Sequence, residues 1–185
     1  MNLSKRNLLG LSLFLAAAAL PLAAQDAPAK PATGFRDAFL SQLKDVEGKV
    51  VSLAEATPQE KYSWRPAEGV RSVSEVFVHI AGANYFLLTM AGVKPPAGLD
   101  PKMEKTITDK AKVIETVKAS FAHARDAVSK MSDADMAKET KMFGRATTYE
   151  AVLFFMANHM HEHLGQSIAY ARTNGIVPPW SKKDS

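Results

Sequence analysis

The last long segment of this chain constrains its fold more than any other feature. From Thr147 to Asn174 the sequence runs about 27 residues without a proline, then reaches Gly175, Pro178 and Pro179. Thr147 with Glu150 three positions later has the form of a capping box, in which hydroxyl and carboxylate satisfy the first free N–H groups of a helix. Gly175 stands where a left-handed C-terminal cap belongs, and the prolines forbid continuation. A single helix of about 40 Å is predicted. A helix of that length needs partners to cover its apolar stripe.

Three other stretches supply them. Phe39, Leu43, Val46, Val50 and Leu53 recur at spacings of three and four over about Phe35 to Ala56, one face of a helix. "ATPQEKYSWRPAEG" then interrupts with Pro58, Pro66 and Gly69. Ser72 with Glu75 forms a second capping box, opening a helix on which Val76, His79, Ala83 and Phe86 share a face and which ends near Met90, before "GVKPPAGLDP". A third helix is predicted over about Thr108 to Met131, with Ile114, Val117, Phe121, Ala124 and Val128 as its seam. "SDADMAKETKMFGRAT" reads as a polar connection with one short turn, and no run alternates with period two for long enough to make a strand. The predicted fold class is all-α, a four-helix bundle over residues 35–181, with 182–185 a tail.

The N-terminal residues read differently. Lys5 and Arg6 precede a 17-residue apolar run, Leu8 to Ala24, that Pro21 interrupts and small residues close. This is the layout of a secretory signal peptide over residues 1–24, and the run falls short of the roughly 20 residues of a spanning helix. Residues 25–34 read as a flexible lead-in rich in Pro and Ala. Cleavage near Ala24 removes two of the 23 basic residues and none of the 19 acidic ones, leaving a net charge of +2. With its charges interspersed, the remaining chain offers no electrostatic footprint for nucleic acid or an anionic membrane. Cysteine is absent, so stability falls to the core, and any thiol chemistry would use an external thiol. The expected location is periplasmic or secreted.

The chemistry is concentrated in "NHMHEHLGQ". His159 and His163 are four apart and lie about 40° apart on one helix face, whereas His161 lies about 200° round from His159. The pair shares its face with Val152, Phe155, Gln166 and Tyr170, which predicts that it points inward. Imidazole buried without a partner costs about 1–3 kcal/mol, and a shared metal ion satisfies both rings in their neutral form. His79, on the face of Val76, Ala83 and Phe86, is the natural third ligand. Three nitrogens leave a coordination position open, as catalytic rather than closed structural sites do. All-imidazole ligation suits zinc, nickel, iron or copper. Ordinary half-buried histidines, satisfied by hydrogen bonds, are the competing reading of the same pattern. His161 and His123 read as solvated surface residues. Glu75 is four before His79 and could be a fourth ligand, although its capping role is preferred. Gln166 is the better candidate to support a ligand from behind, ahead of Asn158 and Glu162. Trp64 and Trp180 read as packing residues at the bundle ends.

Two segments, "YSWRPAEGVRSVSEVFVHIAGANYFLL" and "TYEAVLFFMANHMHEHLGQSIAYARTNGIVPPWS", resemble the DinB-like family. The most specific parts are W-R-P…G-x-x-S-x-x-E…H and N-H-x-x-x-H…G-Q. The resemblance implies a four-helix bundle of up-up-down-down type, often dimeric. It also implies a divalent metal, zinc, nickel or iron foremost, held by His79, His159 and His163. Some relatives in the superfamily are transferases and isomerases that use bacillithiol, mycothiol or glutathione. Those are cytosolic thiols, which fits poorly with an exported chain and leaves metal-assisted hydrolysis of a small molecule as another expectation. No general base is evident, so no catalytic residue is assigned. A non-catalytic metal-binding or purely structural bundle is the alternative function.

Overall fold

A computed structural model describes residues 34–181. The expected signal peptide, the lead-in up to residue 33 and the tail at 182–185 lie outside the described residues. The four long helices are α1 (Phe35–Ala56), α2 (Val73–Met90), α4 (Lys110–Ser129) and α6 (Tyr149–Thr173), with short helices α3 (Met103–Thr106) and α5 (Asp133–Met136) between them. Helix α2 packs on α4 and α6, and α1 packs on the same two, so α1 and α2 stand at opposite corners of the bundle.

Side-chain contacts give the helix directions. Arg36 at the start of α1 donates to the Met131 carbonyl beyond α4, and Lys110 at the start of α4 donates to the Glu55 and Thr57 carbonyls at the end of α1. The connection before α2 meets this same end: Tyr62 donates its hydroxyl proton to the Ala54 carbonyl, and Gln59 donates to the Thr108 carbonyl. Helices α2 and α4 therefore run together, against α1. At the other end of α2, Gly92 abuts the Tyr149 hydroxyl at the start of α6. The order is up, down, down, up, which is the up-up-down-down cycle entered at its second helix. Because α2 and α4 are parallel, residues 91–109 must return along the bundle, and they carry α3.

The core is apolar and drawn from all four long helices. Val46, Val50 and Leu53 from α1 meet Val76 and Ile80 from α2, Val117 and Phe121 from α4, and Leu153, Met156 and Met160 from α6, all fully buried. Helix α2 is apolar and long enough by composition to cross a membrane, but 67% of it is buried inside the bundle. It is covered by α4, α6 and the returning connection.

Local signals act as the sequence predicts at most helix ends. Ser72 and Glu75 form the reciprocal capping box of α2. Gly92 (φ 77°) and Gly175 (φ 75°) each follow a helix in the left-handed conformation. At both, paired N–H bonds run back to the last turn: Gly92 to Thr89 and Val93 to Leu88, Gly175 to Arg172 and Ile176 to Ala171.

Several expectations need correction. Helix α6 is capped by Thr148, whose side chain accepts from the Ala151 N–H, and not by Thr147 with Glu150. The reason is a β-hairpin within the stretch expected to be a polar connection. Strands β1 (Glu139–Met142) and β2 (Arg145–Thr148) pair antiparallel, and Thr147 is taken up opposite Thr140 in their ladder. Helix α4 begins at Lys110, capped by Asp109, and buries Val113 in place of Ile114, which is only half-buried. Phe86, placed on an inward face, is 55% exposed.

Candidate metal centre

Helices α2 and α6 run antiparallel past one another and bring His79 against His159 and His163. One ring nitrogen from each lies within 4.8 Å of the other two. His79 Nε2 and His159 Nε2 are 3.2 Å apart. Two imidazole ligands about 2.1 Å from one ion are separated by roughly that distance, so the spacing suits a shared cation.

The hydrogen bonds behind the rings point the same way. His79 Nδ1–H donates to Glu104 Oε2 at 2.9 Å, and His163 Nδ1–H donates to Gln166 Oε1 at 2.8 Å. A neutral imidazole that donates through Nδ1 presents a lone pair at Nε2. Gln166 is in turn oriented by donating to the Tyr170 hydroxyl at 2.9 Å. Glu104 accepts from Arg71 Nε at 2.8 Å through its other oxygen. His159 Nδ1 is buried and has no hydrogen-bond partner, and the ring lies nearly parallel to Phe155, with centroids 6.4 Å apart. The donor set is thus three imidazoles, two of them held in the tautomer that a metal requires.

The electrostatics favour uncharged rings at His159 and His79. Burial lowers the His159 pKa, and the neighbouring His163, His79 and Arg71 lower it further, to about 4. Burial also lowers that of His79, with Arg71 and His163 adding to the effect and Glu104 opposing it. Burial alone would raise the Glu104 pKa, but hydrogen bonds from Arg71 and His79 outweigh it and keep the carboxylate ionised. Metal-free protein should therefore lose stability in acid. In the folded state His159 and His79 resist protonation below their ordinary value of 6.5, whereas in the unfolded chain they take up protons freely. The contribution is fully present above about pH 6.5 and is lost as pH falls towards 4. For His159, half-buried and partly screened, the loss is on the order of 2 kcal/mol. Urea titrations of chelated protein at pH 7 and pH 4 measure it. His159→Gln should show a smaller difference between the two, and equal differences would rule out this origin.

A cavity of about 550 Å³ reaches the cluster from solvent, with His79, His159 and Glu104 among its lining residues. Leu99, Asp100 and Met103 from the returning connection form one wall, Val78, Ala83 and Phe86 of α2 another, and Phe143 and Phe155 a third.

The other singled-out residues fall as follows. Glu75 is not in the cluster; its carboxylate accepts from the Ser72 N–H at 2.7 Å and from Lys105 at 3.0 Å. His161 is exposed and bonds the Ala157 carbonyl of its own helix. Asn158 and Glu162 are exposed. His123 is not a solvated residue: it is half-buried against Tyr85, at 5.4 Å between centroids, with its Nε2 unpartnered. Trp64 packs edge-on against Tyr170 at 5.2 Å, and Trp180, 40% exposed, lies in a turn that packs on α1. Glu104 was missed by sequence reasoning. It lies in a proline-flanked connection and its partner is 25 residues away, so no periodicity marks it.

Comparison with known proteins agrees with this architecture. A DinB-like protein from Bacillus cereus superimposes with a TM-score of 0.69 at 21% identity, covering 76% of this chain and 93% of its own. A DinB-like protein from Bacillus subtilis gives a TM-score of 0.63 at 21% identity, covering 80% and 99%. YfiT from Bacillus subtilis, described as a probable metal-dependent hydrolase with an unusual four-helix bundle topology, gives 0.61 at 17% identity, covering 77% and 89%. No curated protein matches. The sequence pattern of the DinB superfamily matches residues 42–167, and the chain belongs to that superfamily.

Proposed function

We propose that the chain is a divalent-metal-dependent enzyme of hydrolase or transferase type. It acts on a small molecule through His79, His159 and His163, and it works outside the cytoplasm after loss of the segment 1–24. The observation that carries the reading is the convergence of three imidazoles, two with their tautomer fixed from behind, in a cluster of which His79 and His159 line a cavity open to solvent. A closed site with a fourth protein ligand would favour storage or a structural role, and Glu75, the expected candidate, is occupied in its cap. The description of YfiT as a probable metal-dependent hydrolase supports the same class. Export rests on the layout of residues 1–24 alone. Three imidazoles suit zinc, nickel, iron or copper, and the family resemblance favours the first three.

When bound, the metal supplies a Lewis acid that polarises a substrate oxygen or brings the pKa of a bound water to about 7. The residues of the chain hold and orient it. Glu104 and Gln166 hold the Nδ1 sides of His79 and His163 and leave their Nε2 lone pairs free for the cluster. The carboxylates that line the cavity are already engaged: Glu104 with Arg71 and His79, Asp100 with the Lys102 N–H and the Thr106 hydroxyl.

The test begins with protein purified without a polyhistidine tag. It should carry close to one divalent metal per chain. Turnover on a panel of 4-nitrophenyl esters should vanish on chelation and return on metal add-back. Glu104→Ala should weaken metal binding by about 10–100-fold, as removal of a ligand's hydrogen-bond partner does. Metal at full occupancy with no chelator-sensitive turnover on esters or thiol-transfer substrates would favour the non-catalytic reading, and metal-free protein that takes up none would refute both.

A further inference from the structure

The turn that joins β1 to β2 is built against its own backbone preference. It has two residues, Phe143 and Gly144, both with positive φ, 52° and 82°. Such a turn favours Asn or Gly at its first position, because a Cβ is strained in the left-handed region. Phe143 gains no compensating burial, since it is 61% exposed. Its ring instead stands over the cavity, 5.6 Å from Phe155 and 6.4 Å from Phe86. Phe155 then lies against His159. Three exposed aromatic rings thus form a continuous wall that ends at the histidine cluster. Strain retained at an exposed residue, and apolar surface concentrated at a cavity mouth, both mark a binding function.

Charge narrows the ligand. Among the described residues lining the cavity, the charged ones are Asp100 and Glu104, both acidic, with Glu104 paired to Arg71 outside the lining. No lysine or arginine stands there to receive a carboxylate or phosphate. A volume of about 550 Å³ suits a small molecule rather than a peptide or a second chain.

We propose that the wall of Phe86, Phe143 and Phe155 binds the apolar ring portion of a substrate that carries no negative charge, and that Phe143 at the hairpin tip determines this specificity. The proposal rests on the functional reading only in taking the histidine cluster as the place of the reacting group. It disfavours the anionic low-molecular-weight thiols as occupants of this wall.

Two near-isosteric fluorophores test it without relying on the metal. N-Phenyl-1-naphthylamine is uncharged, and 1-anilinonaphthalene-8-sulfonate adds one sulfonate. In chelated protein the uncharged probe should bind at one site per chain, at least about tenfold more tightly than the sulfonate. Phe143→Asn should weaken it by about tenfold while leaving the urea midpoint unchanged or raised, because Asn relieves the turn. Phe154→Ala, an exposed ring outside the cavity lining, serves as the control and should bind as wild type. Equal affinity for the two probes, or equal loss in Phe154→Ala, would overturn the proposal. So would a Phe143→Asn variant that binds normally, or one whose only change is in oligomeric state by light scattering. Metal content, assayed on the same samples, reports separately on the histidine site: protein that takes up no metal but discriminates between the probes retires the enzyme reading and leaves the ligand preference standing.

Discussion

Replacing His163 by alanine should abolish stoichiometric metal binding and leave a folded bundle. The ring is 8% exposed, and its Nδ1–H is fixed on Gln166. Without it only His79 and His159 remain in the cluster. Loss of a direct ligand should exceed the roughly 10–100-fold that loss of an outer partner produces, so affinity should fall by well over about 100-fold. The fold loses one hydrogen bond and gains a small void, about 1–2 kcal/mol against the roughly 5–15 kcal/mol of a typical domain. Competition with a chromophoric chelator gives the affinity, and urea unfolding of metal-free protein gives the stability. Full metal occupancy in the variant would remove His163 from the ligand set.

The second large effect should come from Phe77→Ala. Phe77 is 1% exposed, faces Tyr62 at 6.2 Å, and borders a small void with Ser167, Tyr170 and Ala171 of α6. Truncation should cost about 3–5 kcal/mol, the range for a buried phenylalanine. It should also weaken metal binding, because it loosens the α2–α6 seam two residues from His79. Phe121→Ala, fully buried on α4, provides the comparison. It should destabilise by a similar amount and affect metal affinity less. Equal losses of affinity in the two would mean that the site responds to global stability and not to this seam.

The parts of the fold legible in the sequence were those encoded locally. Ser72 with Glu75, Gly175 with its prolines, and the seam of α1 each act within a few residues, and each stands as read. Spacing also divides the histidines correctly: His159 and His163 meet His79, and His161 faces away. What failed depended on distant partners. Thr147 looks like a cap until the hairpin claims it for its ladder, and strands of four residues leave too little alternation to read. Helix α2 is apolar nearly all round, so periodicity could not tell its core side from the side lining the cavity, and Phe86 was misplaced. Glu104 is invisible for a related reason. It meets His79 only because two parallel helices force the chain between them back along the bundle.

The separation of His79 from His159 has a last consequence. The two are 80 residues apart, in a chain without a single cysteine. Closing a loop of that size in the unfolded chain costs about 4 kcal/mol of entropy. An ion held by all three imidazoles would therefore bind the native bundle more tightly than the unfolded chain, which keeps only the local group of His159, His161 and His163. Its binding would add to folding stability with the logarithm of its free concentration above the dissociation constant. The histidine cluster would then serve as a removable staple across the two halves of the chain, one whose strength is set by metal supply in its surroundings rather than by their redox state.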